Sequence, residues 1–470
     1  GGAAQAQTST IAPSQTPPSI AQPLRTLPAA GSAPLTLNEA IGIALRVNPS
    51  AAAASQQLAQ AQAAVNAALA QRRMQVTFSS AGSVSSADVP QPPPSHETFG
   101  TLQNTINVPL PVGRRPGFAV AQAREQLAGA EAMFRAARLS LATQVAAAYF
   151  DLLRKRALLA AAQETLDLAR RQLTDAQNRA AAGDVPQIDV LQAEVPVATA
   201  EAAQSQAATA AVIAQESFND LLARPLDEPA SIEDVIAPPS MPPYTLDQAR
   251  NVAVYYSPSV VAADASTRAA LAAVASARAY REPSVSLQLI DTRSGDVTSF
   301  SREDTLQAAV SIPLTDGGLG RAQTEAAQAV LAQSQAQAES ARRAAVVGAS
   351  AAYLTAQSNA AQVGATRTAR DIAQTTYDKT VLGYRNGTLP LVDVLTAQNA
   401  LAQTRIAYIQ ALYDAAAAQA SLLAAIRGEV VTIPAQPVVS GALAVPQPAA
   451  APPSSGISPA GAGSPTGTPA

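Results

Sequence analysis

Apolar positions along this chain follow two different periods. Leu141, Val145, Tyr149 and Leu152 recur at three- and four-residue steps, and Leu159, Leu166 and Leu173 recur at sevens. That spacing lays one seam along a helix, with alanine filling the flanks. Four short segments alternate instead. Val76 and Phe78 flank Thr77, while Ile106, Val108 and Leu110 flank Asn107 and Pro109. Val285, Leu287 and Leu289 are spaced by Ser286 and Gln288, and Leu306, Ala308, Val310, Ile312 and Leu314 by Gln307, Ala309, Ser311 and Pro313. A period of two predicts strands with one apolar face and one small, polar face. The stretches 84–101 and 292–305 read as loops.

Proline and glycine set the boundaries. No proline falls in 117–185 or 314–389, and a continuous helix over 117–182 would be about 100 Å long. Gly183-Asp184-Val185-Pro186 and Gly387-Thr388-Leu389-Pro390 each put glycine past one helix end and proline at the first position of the next. Pro196, inside the helix after the first turn, predicts a kink.

The two turns belong to a duplication. Thr36-Leu37 through Asn48-Pro49-Ser50 returns as Thr245-Leu246 through Ser257-Pro258-Ser259, 209 residues on. Ala147-Ala148-Tyr149 returns as Ala351-Ala352-Tyr353, 204 residues on. At that same offset Gly183, Pro186 and Asp189-Val190-Leu191 meet Gly387, Pro390 and Asp393-Val394-Leu395. Each half predicts a helix of about 40 residues, a strand, a loop, a strand, a very long helix, a tight turn and another helix of about 40. The repeats span 35–223 and 245–432, joined by a linker at 224–244. Residues 1–34 and 433–470, with six and nine prolines in almost uncharged surroundings, read as disordered tails.

Composition narrows the function. Of 470 residues 111 are alanine, the best helix former, which favours long, closely packed helices. There is no cysteine and one histidine, His96, read as an exposed loop residue. That removes disulfide scaffolds and thiolate chemistry, and it argues against a histidine metal site or a Ser/His triad. With 31 cations against 34 anions, no nucleic-acid surface is expected. No cofactor and no catalytic centre are expected either. No apolar run approaches the roughly 18–20 residues of a membrane helix. The opening Gly1-Gly2-Ala3-Ala4 reads as a chain trimmed of a signal peptide, which places it outside the cytoplasm.

The strands then carry the functional clue. Their alternation suits a soluble half-buried sheet or a transmembrane barrel, and the alanine-rich helices offer no apolar layer to cover a soluble sheet. Four strands cannot close a barrel, which needs about eight, and an open edge in lipid leaves backbone groups unpaired. The pore must therefore be shared between copies of the chain. Periodicity alone allows a dimeric barrel of eight strands as well as a trimeric one of twelve.

Over roughly residues 35–432 the pattern resembles the TolC-like outer-membrane efflux channels. The two Thr-Leu-x-x-Ala…Pro-Ser openings, the Pro-Leu pairs at 109–110 and 313–314, and the duplicated Gly-x-x-Pro-x-x-Asp-Val-Leu-x-Ala carry the resemblance. It implies a mixed α/β membrane protein, mainly α: a homotrimeric 12-stranded outer-membrane β-barrel, four strands per protomer, continued by a long periplasmic α-helical coiled-coil barrel. It also implies a periplasmic adaptor (membrane fusion) protein and an inner-membrane pump as partners. Function would be passive exit for a tripartite efflux pump or a type I secretion system, gated at the periplasmic end.

The resemblance further implies site residues. Gly183, Pro186, Gly387 and Pro390 mark the hairpin turns at the tunnel tip. Asp393 matches an aspartate of the constriction, whereas Thr396 stands where the family has a second. Asp189 and Tyr384 match a pair that links hairpins in the closed state. Leu389 replaces a latch arginine, for which nearby Arg385 is the substitute. Both aspartates also suit a helix first turn whatever their function, and Tyr384 also suits packing. Tyr149 and Tyr353 read as seam residues, and Arg154-Lys155-Arg156 and Arg170-Arg171 as solvated helix faces. The rival reading is a soluble periplasmic coiled-coil adaptor or scaffold, distinguished by needing no detergent.

Overall fold

The computed structural model describes residues 34–89, 95–234, 245–295 and 299–427; the two tails expected to be disordered lie outside these, apart from Pro34. The first repeat runs α1 Leu37–Val47, α2 Pro49–Ala70, β1 Thr77–Val89, β2 Ser95–Leu110, α3 Arg115–Ala182 and α4 Gln187–Leu221. The second runs α5 Leu246–Tyr256, α6 Pro258–Arg278, β3 Ser284–Gly295, β4 Phe300–Ser311, α7 Leu319–Arg385 and α8 Leu391–Arg427.

The opening helix of each repeat departs from expectation, being two helices instead of one. Pro49 and Pro258 supply no N–H to a preceding turn and start new helices, while Asn48 and Ser257 before them are extended. Asn48 caps α2 by accepting from the Ser50 N–H at 2.9 Å, and its amide donates to the Leu221 carbonyl at 3.0 Å. Thr36 with Glu39, and Thr245 with Gln248, form capping boxes that begin α1 and α5. α3 and α7 hold 68 and 67 residues. α4 continues through Pro196 without ending there.

The strands are longer than alternation indicated, and they reach into both stretches read as loops. His96 lies in β2, paired in register with Asp88, so the loop placement of this histidine is corrected. β4 stops at Ser311, which leaves Ile312 and Leu314 outside it. The four strands form one antiparallel sheet in the order β1-β2-β3-β4. Register fixes its faces. Leu110, Val285 and Val310 form one row, and Phe78, Ile106, Leu289 and Leu306 another, both on the apolar face. The opposite face carries Thr77, Asn107, Gln288 and Gln307, then Ser83, Thr101, Ser294 and Ser301. Farther along the apolar face comes a charged patch in which Arg302 meets Asp291 and Asp304, and Arg293 meets Asp291. Taking 292–305 for a loop hid most of it. Among the described residues no helix packs across the sheet.

The helices stand side by side. α3 is flanked by α2 and α4 on one side and by α6 and α8 on the other; α6 and α8 in turn lie against α7. Leu141, Val145, Tyr149 and Leu152 form the expected seam, packed with Phe150, Phe218 and Ile41. The Tyr149 hydroxyl donates to the carbonyls of Leu35 and Glu233, which holds part of the 224–244 linker against the first repeat. Two alanine-rich helices, Pro258–Arg281 and Leu391–Ile426, are long and apolar enough by composition to cross a membrane, contrary to expectation. Both lie against α3 and α7, so their apolar faces already have partners within the chain.

Candidate functional site

The two duplicated turns come together at one end of the molecule. Gly183 ends α3 with φ of 82°, and Gly387 follows α7 with φ of 74°; both sit in the left-handed region that a side chain disfavours. Pro186 takes the cap position of α4, one residue earlier than expected, and Pro390 directly precedes Leu391 in the same way. Asp189 and Asp393 consequently fall in helix first turns, where a carboxylate meets the positive end of the dipole. Ala176, Val190, Ala193, Tyr377, Leu391 and Val394 pack between the four helix ends.

Asp393 and Thr396 are exposed, one turn apart on α8, with the Thr396 hydroxyl donating to the Val392 carbonyl at 2.8 Å. Asp189 and Tyr384 line one cleft of about 510 Å³ together with Arg179, Asp184, Leu389 and Pro390. The Tyr384 hydroxyl is buried and has no hydrogen-bond partner among the described residues. Leu389 packs on Gly383, where an added Cβ would stand 2.6 Å from its Cδ1. The close approach fixes Leu389 as a packing residue of the turn. Arg385 reaches Asp175 at 3.8 Å, with both side chains more than half exposed, so solvent screens this pair.

Arg179 was missed by sequence reasoning. Its guanidinium carbon stands 4.7 Å from the centre of the Tyr384 ring, and its Nη1 and Nη2 donate to the carbonyls of Tyr384 and Arg385 at 3.2 and 3.1 Å. Its repeat mate is Gly383, so the duplication gave no signal for it. The arginines read as solvated faces divide. Arg170 pairs with Glu201 on the surface, as expected. Arg154 and Arg156 are half-buried instead: Arg154 bridges Asp151 and Asp414, and Arg156 donates to Gln215 and the Ala230 carbonyl. Tyr353 packs beside Ala249 and Leu422, a seam residue like Tyr149.

Long helices in two repeats, a four-stranded sheet that none of the described helices crosses and paired turns at one end agree with the resemblance noted in the sequence. The model of the outer membrane efflux proteins matches residues 40–224 and 251–427. The chain belongs to that family. The outer membrane efflux protein BepC of Brucella suis is 26% identical over 339 residues, 71% of this chain and 73% of that protein. The fold is that of VceC from Vibrio cholerae, with a TM-score of 0.70 and 22% identity over 84% of this chain and 97% of VceC. CusC superposes with a TM-score of 0.75 and 20% identity over 84% of this chain and 92% of CusC. An outer membrane efflux channel, not a soluble scaffold or an enzyme, is the class these likenesses support.

Proposed function

We propose that three copies of this chain form a passive exit duct through the outer membrane, gated at the helical tips. Adaptor and pump would dock from the periplasm, serving a tripartite efflux pump or a type I secretion system. The observation that carries the reading is the sheet. Among the described residues its outer strands β1 and β4 are paired on one edge only, and no helix packs across either face. In hydrocarbon each unpaired backbone group costs several kcal/mol. Pairing β4 of one copy with β1 of the next is antiparallel and removes both edges, and three copies give twelve strands. The Phe78–Leu306 row would face lipid, and the Thr77–Gln307 row would line the lumen.

The helices support the same closure. The outer helices α4 and α7 each show an apolar stripe: Ile188, Leu191 and Val195 on one, Val347, Leu354 and Ile372 on the other, all more than half exposed. Each stripe follows one helix face, and together they give neighbouring copies matching surfaces.

At the tip, Asp393 from three copies would ring the axis and favour cations over anions, with Thr396 leaving that ring single. Asp189 and Tyr384 would line the cleft that closes between hairpins, and Arg385 would add a screened pair. The test is planar-bilayer recording. Asp393→Ala should lower cation selectivity severalfold in channels that still form; unchanged selectivity removes Asp393 from the pore lining. Detergent-extracted chain should run as a heat-modifiable oligomer, and a detergent-free monomer would sink the duct.

A further inference from the structure

Along most of their length α3 and α7 are held apart by α6 and α8, and only near the tip do Ala176 of α3 and Tyr377 of α7 share an apolar cluster. There α3 also reaches α7 with three polar side chains. Gln172 donates to the Tyr377 hydroxyl at 3.1 Å, Asp175 meets Arg385 at 3.8 Å, and Arg179 holds the carbonyls of Tyr384 and Arg385. These three stand at positions i, i+3 and i+7, along one face of α3. The last carbonyls of a helix lack intrahelical partners and carry its negative end. Arg179 answers both needs of α7 at once and lays its planar cation over the Tyr384 ring.

We infer that Arg179 is a positioning residue that bolts the two hairpins of one protomer together at their tips and so sets how readily the duct opens. The inference rests on the gated-duct reading above and identifies which contact resists opening. Two neighbours with the right chemistry do less. Arg385 points into solvent beside an exposed carboxylate, where screening weakens the pair. Among the described residues the Tyr384 hydroxyl makes no hydrogen bond, so Tyr384 is gripped by its ring and its carbonyl. Leu389, packed on Gly383, supplies no charge to the tip.

The test uses full-length oligomers in planar bilayers, with gel mobility before and after heating as the check on assembly. Arg179→Ala should raise mean conductance at least threefold, with Arg179→Gln as a second variant should alanine fail to assemble. Arg179→Lys keeps the charge and loses the fork, and should fall between. Tyr384→Phe keeps ring and carbonyl and should raise conductance less than Arg179→Ala does. The chain has no cysteine, so Arg179→Cys/Arg385→Cys bridged by a short bismaleimide should return conductance to the wild-type level. Conducting wild-type channels matched by Arg179→Ala overturn the bolt and leave the duct standing. A Tyr384→Phe effect as large as that of Arg179→Ala also overturns it, since the hydroxyl would then carry the hold. A wild-type oligomer that conducts nothing overturns the duct itself.

Discussion

α3 and α7 are repeat mates of almost equal length, and they live in different surroundings. α3 stands inside the row of helices and buries Leu141, Val145, Tyr149, Phe150, Leu152 and Leu153. α7 stands at the edge; it buries Ser334, Ala338, Ala349, Ala356 and Tyr377 and exposes Val347, Leu354 and Ile372. Duplication copied the turn motif and the helix length but not the number of flanking helices. The buried apolar positions of α3 therefore serve folding of the protomer, whereas Val347, Leu354 and Ile372 of α7 stay exposed and, in the proposed duct, would meet another copy.

Parallel truncations on the two helices should give the largest contrast. Leu152 is 0% exposed and Leu354 is 51% exposed. Leu152→Ala should cost about 2–5 kcal/mol, as buried leucine truncations do, and lower the thermal stability of the protomer's helices by circular dichroism. Leu354→Lys should leave those helices intact and reduce the heat-modifiable oligomer on gels. If both variants lose helicity together, or Leu354→Lys assembles normally, α7 is not a subunit edge.

Much of this difference was hidden from the sequence, for a physical reason. Periodicity reports that a helix has an apolar face, and it does not report whether the same chain covers it. The seam at Leu141–Leu152, the long helices, the paired turns and the four alternating segments were legible because each follows local chemistry. The strand ends were not, since Asp291, Arg293, Arg302 and Asp304 interrupt alternation and look like loop residues. Neither was the break at Pro49, although proline explains it afterwards. At the tip the motif disclosed Asp189, Asp393 and both glycines. Arg179 stayed invisible because its partners are backbone carbonyls, which no residue pattern encodes.

A smaller effect separates the ways the two repeats start their long helices. α7 is capped from its own repeat: the Asp316 carboxylate, 7% exposed, accepts from the N–H groups of Gly318 and Gly320 and pairs with Arg281. These bonds hold its pKa below the usual carboxylate range. α3 borrows its cap, for Glu282 of the second repeat accepts from the N–H groups of Arg114 and Arg115 at 2.6 and 3.3 Å. Gly113 precedes them with φ of 88°, and an added Cβ would lie 2.6 Å from the Glu282 Oε2. Gly113→Ala should therefore cost about 1–3 kcal/mol and displace the cap. Gly317, its repeat mate, has φ of 58° and open space, so Gly317→Ala should cost less, carrying the backbone strain without the clash. Equal losses in chemical denaturation would show that the borrowed cap adds nothing.

The smallest effect concerns the linker, whose described end is held by Tyr149 of the first repeat and by Tyr413 of the second. Asp234, beside Glu233 on the first-repeat core, accepts from the Tyr413 hydroxyl at 3.4 Å. Burial raises its pKa above the ordinary 3.8, and the Tyr413 hydrogen bond opposes that shift without cancelling it. A carboxyl with a raised pKa binds its proton more tightly folded than unfolded. Folding gains from it at low pH and loses that gain as pH climbs from 3.8 through the higher folded value. Asp234→Asn keeps a neutral acceptor for Tyr413 and removes the charge. The variant should melt above wild type by a few degrees at pH 7, and the gap should close as pH falls to about 4. Among the described residues Tyr353, the repeat mate of Tyr149, makes no hydrogen bond to the linker, so Tyr353→Phe should leave the pH dependence of melting unchanged. A gap between Asp234→Asn and wild type that stays constant with pH would mean the carboxyl is fully hydrated, and that the linker at 234 is not seated against Tyr413.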